Sequence, residues 1–227
     1  PDWEGHLYKL DTTLIDPVTQ ARLPGYRVWD AAKLLSTRDE TTRRIYTWDP
    51  STRDLIEINS GNLGTLKAIA PTLTVGVIDF IRGNSGETNA DGTLKLPKKA
   101  RTERLGPLIN TVPSIVGTPA RYEQGNLVNH KQFEEDYAKR RPMIWIGAND
   151  GMLHAFDFDT GEEVVALLPP QILDRQAELR DNYNRLVPQS DGTFKRIPTS
   201  KTGQPEDLTN IYGVAGSLRF GDVYFSS

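Results

Sequence analysis

The run Met143-Ile144-Trp145-Ile146-Gly147-Ala148-Asn149-Asp150-Gly151-Met152-Leu153-His154-Ala155-Phe156-Asp157-Phe158-Asp159-Thr160-Gly161-Glu162-Glu163-Val164-Val165-Ala166-Leu167-Leu168 reads as three strands and two turns. Met143 to Ala148 is strongly apolar. Asn149-Asp150-Gly151 is a tight turn, with Gly151 supplying a positive φ. Met152 to Phe158 is a second strand, Asp159-Thr160-Gly161-Glu162 a second turn, and Glu163 to Leu168 a third strand. Short strands joined by turns of three or four residues predict an antiparallel meander.

The middle strand has two counterparts upstream. Leu7-Tyr8-Lys9-Leu10-Asp11, Ile45-Tyr46-Thr47-Trp48-Asp49 and Leu153-His154-Ala155-Phe156-Asp157 share one pattern: aliphatic, Tyr or His, any, large apolar, Asp. Alternation at period two predicts half-buried strands. The closing Asp suits a strand end, where its carboxylate accepts backbone N–H bonds from the next turn. A second hairpin is expected over Arg44 to Ile58, around Pro50-Ser51-Thr52-Arg53. Between the strands, Gly64 to Ile81 reads as helix split by Pro71. Lys131 to Arg140 reads as a helix with Asn129 as its cap, and Pro170 to Tyr183 as one opening on Pro at its first position. Residues 83–101 and 187–207 are rich in Gly, Pro and polar side chains and read as surface loop insertions.

Composition narrows the function classes. The chain has 227 residues, 37% hydrophobic and 25% charged, which is globular rather than fibrous. Its longest mostly apolar stretch, Leu66 to Ile81, is interrupted by Lys67, Pro71 and Asp79, so no segment reads as a membrane-spanning helix. A net charge of −3 gives no global basic field for nucleic acid. With no cysteine there is no disulfide, thiolate nucleophile or Cys-ligated metal. The chain begins at Pro1, which reads as part of a longer protein or one whose targeting segment is gone.

Several constellations invite sharper readings. Gly5-His6 with Trp29-Asp30 imitates the start and end of a WD40 blade, but Trp48-Asp49 follows 19 residues later. One such blade cannot end twice in that distance, so strand ends of another propeller type are favoured. His6, His130 and His154 lack the i,i+4 spacing of a helical metal site. His154 stands where the other copies have Tyr8 and Tyr46 and reads as a packed or hydrogen-bonded aromatic surrogate. Asn149, Asp150, Asp157 and Asp159 offer oxygens for calcium, but the glycine falls too early for a calcium loop and turn chemistry accounts for each. Glu134-Glu135 and Glu162-Glu163 are neighbours that point apart, not acid–base dyads. No phosphate loop or nucleophile elbow occurs. Lys98-Lys99-Ala100-Arg101 with Arg104 reads as a solvated basic loop.

The segment Ile144 to Asp157, continued by Thr160-Gly161-Glu162-Glu163, closely resembles the C-terminal propeller of the PilY1/PilC proteins of type IV pili. Phe80-Ile81-Arg82-Gly83, Arg104-Leu105-Gly106, Asn110-Thr111-Val112-Pro113, Gly5-His6-Leu7-Tyr8 and Trp29-Asp30-Ala31-Ala32 fit the same family in order. The matched blocks span about residues 3 to 169, with a weaker fit as far as Phe225.

The resemblance implies a mainly β chain: the first blades, over residues 1–227, of an irregular, quinoprotein-like β-propeller with antiparallel blades, inserted helices and long loops. It implies no enzyme activity, no catalytic, cofactor or metal residues, and a structural blade motif of Gly147, Asn149, Asp150, Gly151, Asp157, Thr160 and Gly161. Members that bind calcium use a later Asp-rich loop, so none is carried over to this segment. The implied role is pilus assembly, opposition to retraction, and adhesion at the pilus tip, outer membrane surface or periplasm of a Gram-negative bacterium. The implied partners are minor pilins and host or surface ligands, with no nucleic acid and no small-molecule substrate. Two other readings stay open at this point: part of a quinoprotein dehydrogenase propeller, which Ala155-Phe156-Asp157 with Thr160-Gly161-Glu162 also resembles, and a carbohydrate-binding propeller.

Overall fold

In the computed structural model of the chain, the described residues are 5–98, 100, 101, 103–119, 128–184, 186–188, 194–196, 214, 216–218 and 220. Strand β1 (Tyr8–Leu10) pairs antiparallel with β2 (Arg27–Asp30), which runs directly into α1 (Ala31–Thr37). Asp30 makes that junction: its carboxylate accepts the N–H groups of Ala32 and Lys33 at 3.1 and 3.3 Å, the standard satisfaction of a helix start. Trp29-Asp30 is therefore a buried aromatic followed by a helix cap. Next come β3 (Ile45–Trp48) and β4 (Leu55–Glu57), the expected antiparallel hairpin.

Helices α2 (Leu63–Ile69) and α3 (Val75–Arg82) flank Pro71. Ala70, the residue before the proline, is extended (φ −135°, ψ 91°), because the proline ring excludes helical backbone there. Thr74 restarts the helix by accepting Val77 N–H at 3.2 Å. Residues 76–81 of α3 are all buried, so this short helix is a core element. Residues 83–101 then leave α3 and return to it: Asn84 bridges Ala100, Thr88 bridges Leu94, and Arg101 N–H bonds the Gly83 carbonyl at 2.9 Å.

The remaining elements are β5 (Thr111–Val112), β6 (Ser114–Val116), α4 (Val128–Asp136), β7 (Met143–Gly147), β8 (Leu153–Asp157), β9 (Glu163–Leu167), α5 (Pro170–Leu173), α6 (Gln176–Asn184), β10 (Leu186–Pro188), β11 (Phe194–Arg196) and β12 (Gly216–Ser217). Strands β7, β8 and β9 form the expected meander. Two helix expectations need correction. Asn129 lies inside α4 rather than capping it. The helix expected from Pro170 to Tyr183 is two helices, α5 and α6, although Pro170 does hold the first position. The loop expected over 187–207 falls largely outside the described residues.

The main sheet has six strands in the order β4-β3-β9-β8-β7-β6. Its one parallel pair, β3 with β9, departs from the all-antiparallel expectation. Ala166 N–H bonds Arg44 O at 2.9 Å and Leu168 N–H bonds Tyr46 O at 2.8 Å. No hairpin connects these strands, so no turn imposes antiparallel direction. The architecture is mainly β, sheets with packed helices.

Register puts Ile146, His154, Ala166 and Ile45 in one row across the sheet, with Ile144, Phe156 and Glu163 in the next. Residues facing each other across strands share a face. On that face lie two apolar clusters. One gathers Ile45, Met152 and Ala166 with helices α2, α3 and α5. The other gathers Ile144, Ile146 and Phe156 with Trp29 and α1. His154 and Glu163 stand between them. The opposite face carries Tyr46, Trp145, Leu153, Val165 and Leu167, all half-buried.

Candidate functional site

The polar seam between the two clusters is a chain of alternating charges. Arg43, just before β3, donates from Nε to Glu163 Oε2 at 2.7 Å and from Nη2 to Oε1 at 2.8 Å. His154 Nδ1 lies 2.8 Å from Glu163 Oε1, and its Nε2 lies 2.9 Å from Asp150 Oδ2. Asp150 also accepts Met152 N–H at 2.9 Å and Gly106 N–H at 3.2 Å. All four side chains are buried, so water screens them little.

Burial alone would push each group toward its neutral form. The partners win. Against burial, the Asp150 carboxylate raises the His154 pKa to about 9. Against burial, the Arg43 guanidinium and His154 hold Glu163 far below the usual carboxylate range. Asp150 is lowered and Arg43 raised in the same way. The four charges cancel in pairs. With both ring nitrogens facing carboxylates and the ring fully buried, His154 is held in one position between Asp150 and Glu163. This arrangement fixes positions.

The same arginine reaches a second group of acceptors. Arg43 Nη1 donates to the carbonyls of Ile81 and Arg82 at 3.2 and 3.0 Å. Arg101 Nη2 donates to Phe80 O at 2.9 Å, and Arg104 Nε to Gly83 O at 3.0 Å. Three buried guanidinium groups thus surround the C-terminal end of α3. A helix leaves its last carbonyls unpaired and carries partial negative charge there, so cations at this end satisfy both needs. Arg104 also donates to Leu35 O at 3.2 Å and to Arg38 O, which ties the end of α1 to the end of α3. Arg101 and Arg104 were expected in a solvated basic loop; both are instead buried.

The motif residues fall as follows. Gly147 ends β7, and a Cβ there would collide with Val214 O. Asn149 N–H bonds Pro107 O at 3.0 Å, and its side chain is buried. Asp150 belongs to the charge chain. Gly151 has φ +92°, and a Cβ would lie 2.6 Å from Ile172 Cγ2. Asp157 accepts Asp159 and Thr160 N–H at 2.9 and 2.6 Å and also pairs with Arg141. Despite its burial, the Thr160 N–H and Arg141 bring its pKa down to about 2. Gly161, at φ +75°, lies flat against the Trp29 ring, with Cδ2 2.6 Å from the Cβ position.

Asp11 and Asp49 do at their strand ends what Asp157 does at its own. Asp11 accepts Thr13 N–H at 2.9 Å, and Asp49 accepts Ser51 and Thr52 N–H at 2.7 and 3.3 Å. His154 is packed and hydrogen-bonded, as expected, with its ring stacked 5.7 Å from that of Phe156, and it also stands at the centre of the ionic chain. Arg43 and the buried role of Glu163 were missed. The available signal was position: Glu163 and His154 sit on the core face of a meander, where an unpaired polar side chain is costly. Among the described residues, no group of three or more His, Asp or Glu is arranged to hold a metal ion. No helix among them is long and apolar enough to cross a membrane.

No family model matches the chain, and no solved structure matches it. A Xylella fastidiosa protein named Type IV pilus biogenesis factor PilY1 homolog is 32% identical over 151 residues, 63% of this chain and 12% of that protein. A Pseudomonas aeruginosa protein named Type IV pilus biogenesis factor PilY1 is 29% identical over 200 residues, 78% of this chain and 16% of that protein. The chain thus spans only a small part of the length of the relatives it matches. Similarity that runs through most of the chain, in several relatives of one name, supports membership of the PilY1 family.

Proposed function

We propose that this chain is a scaffold portion of a non-enzymatic type IV pilus biogenesis and adhesion protein. The observation that carries the reading is the similarity to proteins named type IV pilus biogenesis factors over 63% and 78% of the chain. The protein acts at the pilus tip or outer surface of a Gram-negative bacterium, supporting assembly, opposing retraction and so sustaining twitching motility. Its partners are minor pilins and surface or host ligands, not nucleic acid or a small-molecule substrate. No cofactor is assigned to this segment. Calcium, where the parent protein takes it, belongs to a later part.

The chain contributes blades of an irregular propeller. Strands β6, β7, β8 and β9 are successive, antiparallel and adjacent, the composition of one four-stranded blade. The second face of this sheet is apolar and half-buried through Tyr46, Trp145, Leu153, Val165 and Leu167. A blade is covered on both faces by its neighbours, which suits such a surface. The buried charge chain serves this role by fixing one packing of the sheet against its helices.

The test is deletion of the gene in the producing cell, with surface pili counted by electron microscopy. Pili should become scarce, and deletion of retraction in the same strain should restore some of them. Normal piliation, twitching and adhesion in the single deletion, with no paralogue present, would overturn the reading.

A further inference from the structure

The ribbon formed by β1 and β2 carries an exposed stack of planar groups. His6 and Tyr8 lie ring on ring, 5.3 Å apart and 9° from parallel. The Arg27 guanidinium covers the Tyr8 ring at 4.1 Å and stands 6.0 Å from the Tyr26 ring. Arg22 stands 5.3 Å from the same Tyr26 ring, and its Nη1 reaches the Tyr26 hydroxyl at 3.4 Å. His6, Tyr8, Arg22 and Arg27 are exposed and Tyr26 is half-buried.

The basic groups in and beside this stack differ in their partners. His6 pairs with Asp30 at 3.1 Å and Lys9 with Asp159 at 3.4 Å. Among the described residues, neither Arg22 nor Arg27 has a carboxylate partner. The nearby acids are engaged locally: Asp11 takes Thr13 N–H, and Asp16 takes Val18 and Thr19 N–H. The ring contacts hold the guanidinium groups in place, and apart from the bond of Arg22 Nη1 to the Tyr26 hydroxyl their N–H donors meet no carboxylate among the described residues. A guanidinium edge is a fixed fork of N–H donors that matches two oxygens of one anionic group.

We propose that the β1–β2 ribbon binds an acidic polysaccharide. The edges of Arg22 and Arg27 take its carboxylate or sulfate groups, and the Tyr8 and Tyr26 hydroxyls take its ring hydroxyls. Exposed Leu10, Leu23 and Val28 beside the stack suit the C–H faces of sugar rings. A single-stranded nucleic acid needs open aromatic faces for its bases, and here His6, Arg22 and Arg27 lie against them. A membrane surface is held by clusters of four to eight basic residues, more than this ribbon presents. The inference deepens the adhesive part of the proposed function and rests on the protein being displayed outside the cell.

The test uses purified full-length protein on immobilised heparin, polygalacturonate and dextran at physiological salt. Binding to heparin or polygalacturonate but not dextran is expected, and the preferred surface tells sulfate from carboxylate. Arg22→Gln combined with Arg27→Gln should weaken that binding by about tenfold or more, the scale of losing charge-assisted hydrogen bonds, with an unchanged melting temperature. Arg53→Gln, at the exposed β3–β4 turn, should leave binding unchanged. No binding to either acidic surface, equal binding by the double variant, or an equal loss in Arg53→Gln overturns the proposal. So does tighter binding to oligothymidylate or phosphatidylglycerol vesicles. Pilus counts in the double variant should stay normal, so loss of the biogenesis reading and loss of this one are separately visible.

Discussion

His154 holds a proton that free histidine would share with water at neutral pH. Its folded pKa of about 9 exceeds the unfolded value of 6.5, so the folded state binds the proton more tightly. The stabilisation is fully present below pH 6.5 and is lost as pH rises from there through about 9. Asp150, Glu163 and Asp157 are lowered instead. Their contribution is present above the ordinary carboxylate range and is lost as pH falls through it and below. Urea midpoints measured across pH should therefore be highest between about pH 5 and 6.5. His154→Phe should flatten the alkaline limb. Glu163→Gln leaves Arg43 and His154 buried with half their partner, and should cost about 3–5 kcal/mol, read from urea unfolding at pH 6. Asp157→Ala removes a turn's acceptor together with the ion-pair partner of the exposed Arg141, and should cost about 1–2 kcal/mol. Both turn residues and the strand-end Asp were legible because their partners sit two or three positions away. Arg43 was not, because Glu163 lies 120 positions on and nothing local marks it.

At the level of elements, α3 shows how a short core helix is held at its end. Its final carbonyls face Arg43, Arg101 and Arg104 rather than water. Arg104→Met keeps much of the side-chain bulk but removes the guanidinium bonds to the carbonyls of Leu35, Arg38 and Gly83, of which Leu35 and Gly83 keep a backbone N–H partner. A loss of about 1.5–3 kcal/mol is expected, the scale of hydrogen bonds from a charged group. Amide exchange should quicken in α3 and α1 together if the arginine couples them, and in neither if it does not. The turn between β8 and β9 makes a similar joint to Trp29. Gly161→Ala places a Cβ against the Trp29 ring in a backbone conformation that costs other residues about 1–2 kcal/mol. It should lower the melting temperature and alter the near-ultraviolet circular dichroism of the tryptophans. The meander and the β3–β4 hairpin were readable as elements because tight turns fix antiparallel register from within a few residues. The β3–β9 pairing was not, since parallel neighbours need no turn and leave no local signature.

For the whole molecule, the parallel seam matters most. Among the described residues, the β3–β4 hairpin joins the sheet of the meander through β9, and Arg43 finds Glu163 only when β9 is in place. Until then β3 has β4 as its single strand neighbour, and an isolated hairpin is marginal in water. A chain emerging N-terminus first, from a ribosome or a translocation pore, therefore holds its early strands and Arg43 in waiting until residue 167 is clear. Long-range pairing of this kind slows folding. A fragment ending at residue 142 should show no cooperative unfolding transition, whereas one ending at residue 184 should show one. The parallel pair thus acts as a timer: the sheet commits to its shape late, after everything between β3 and β9 has already been delivered.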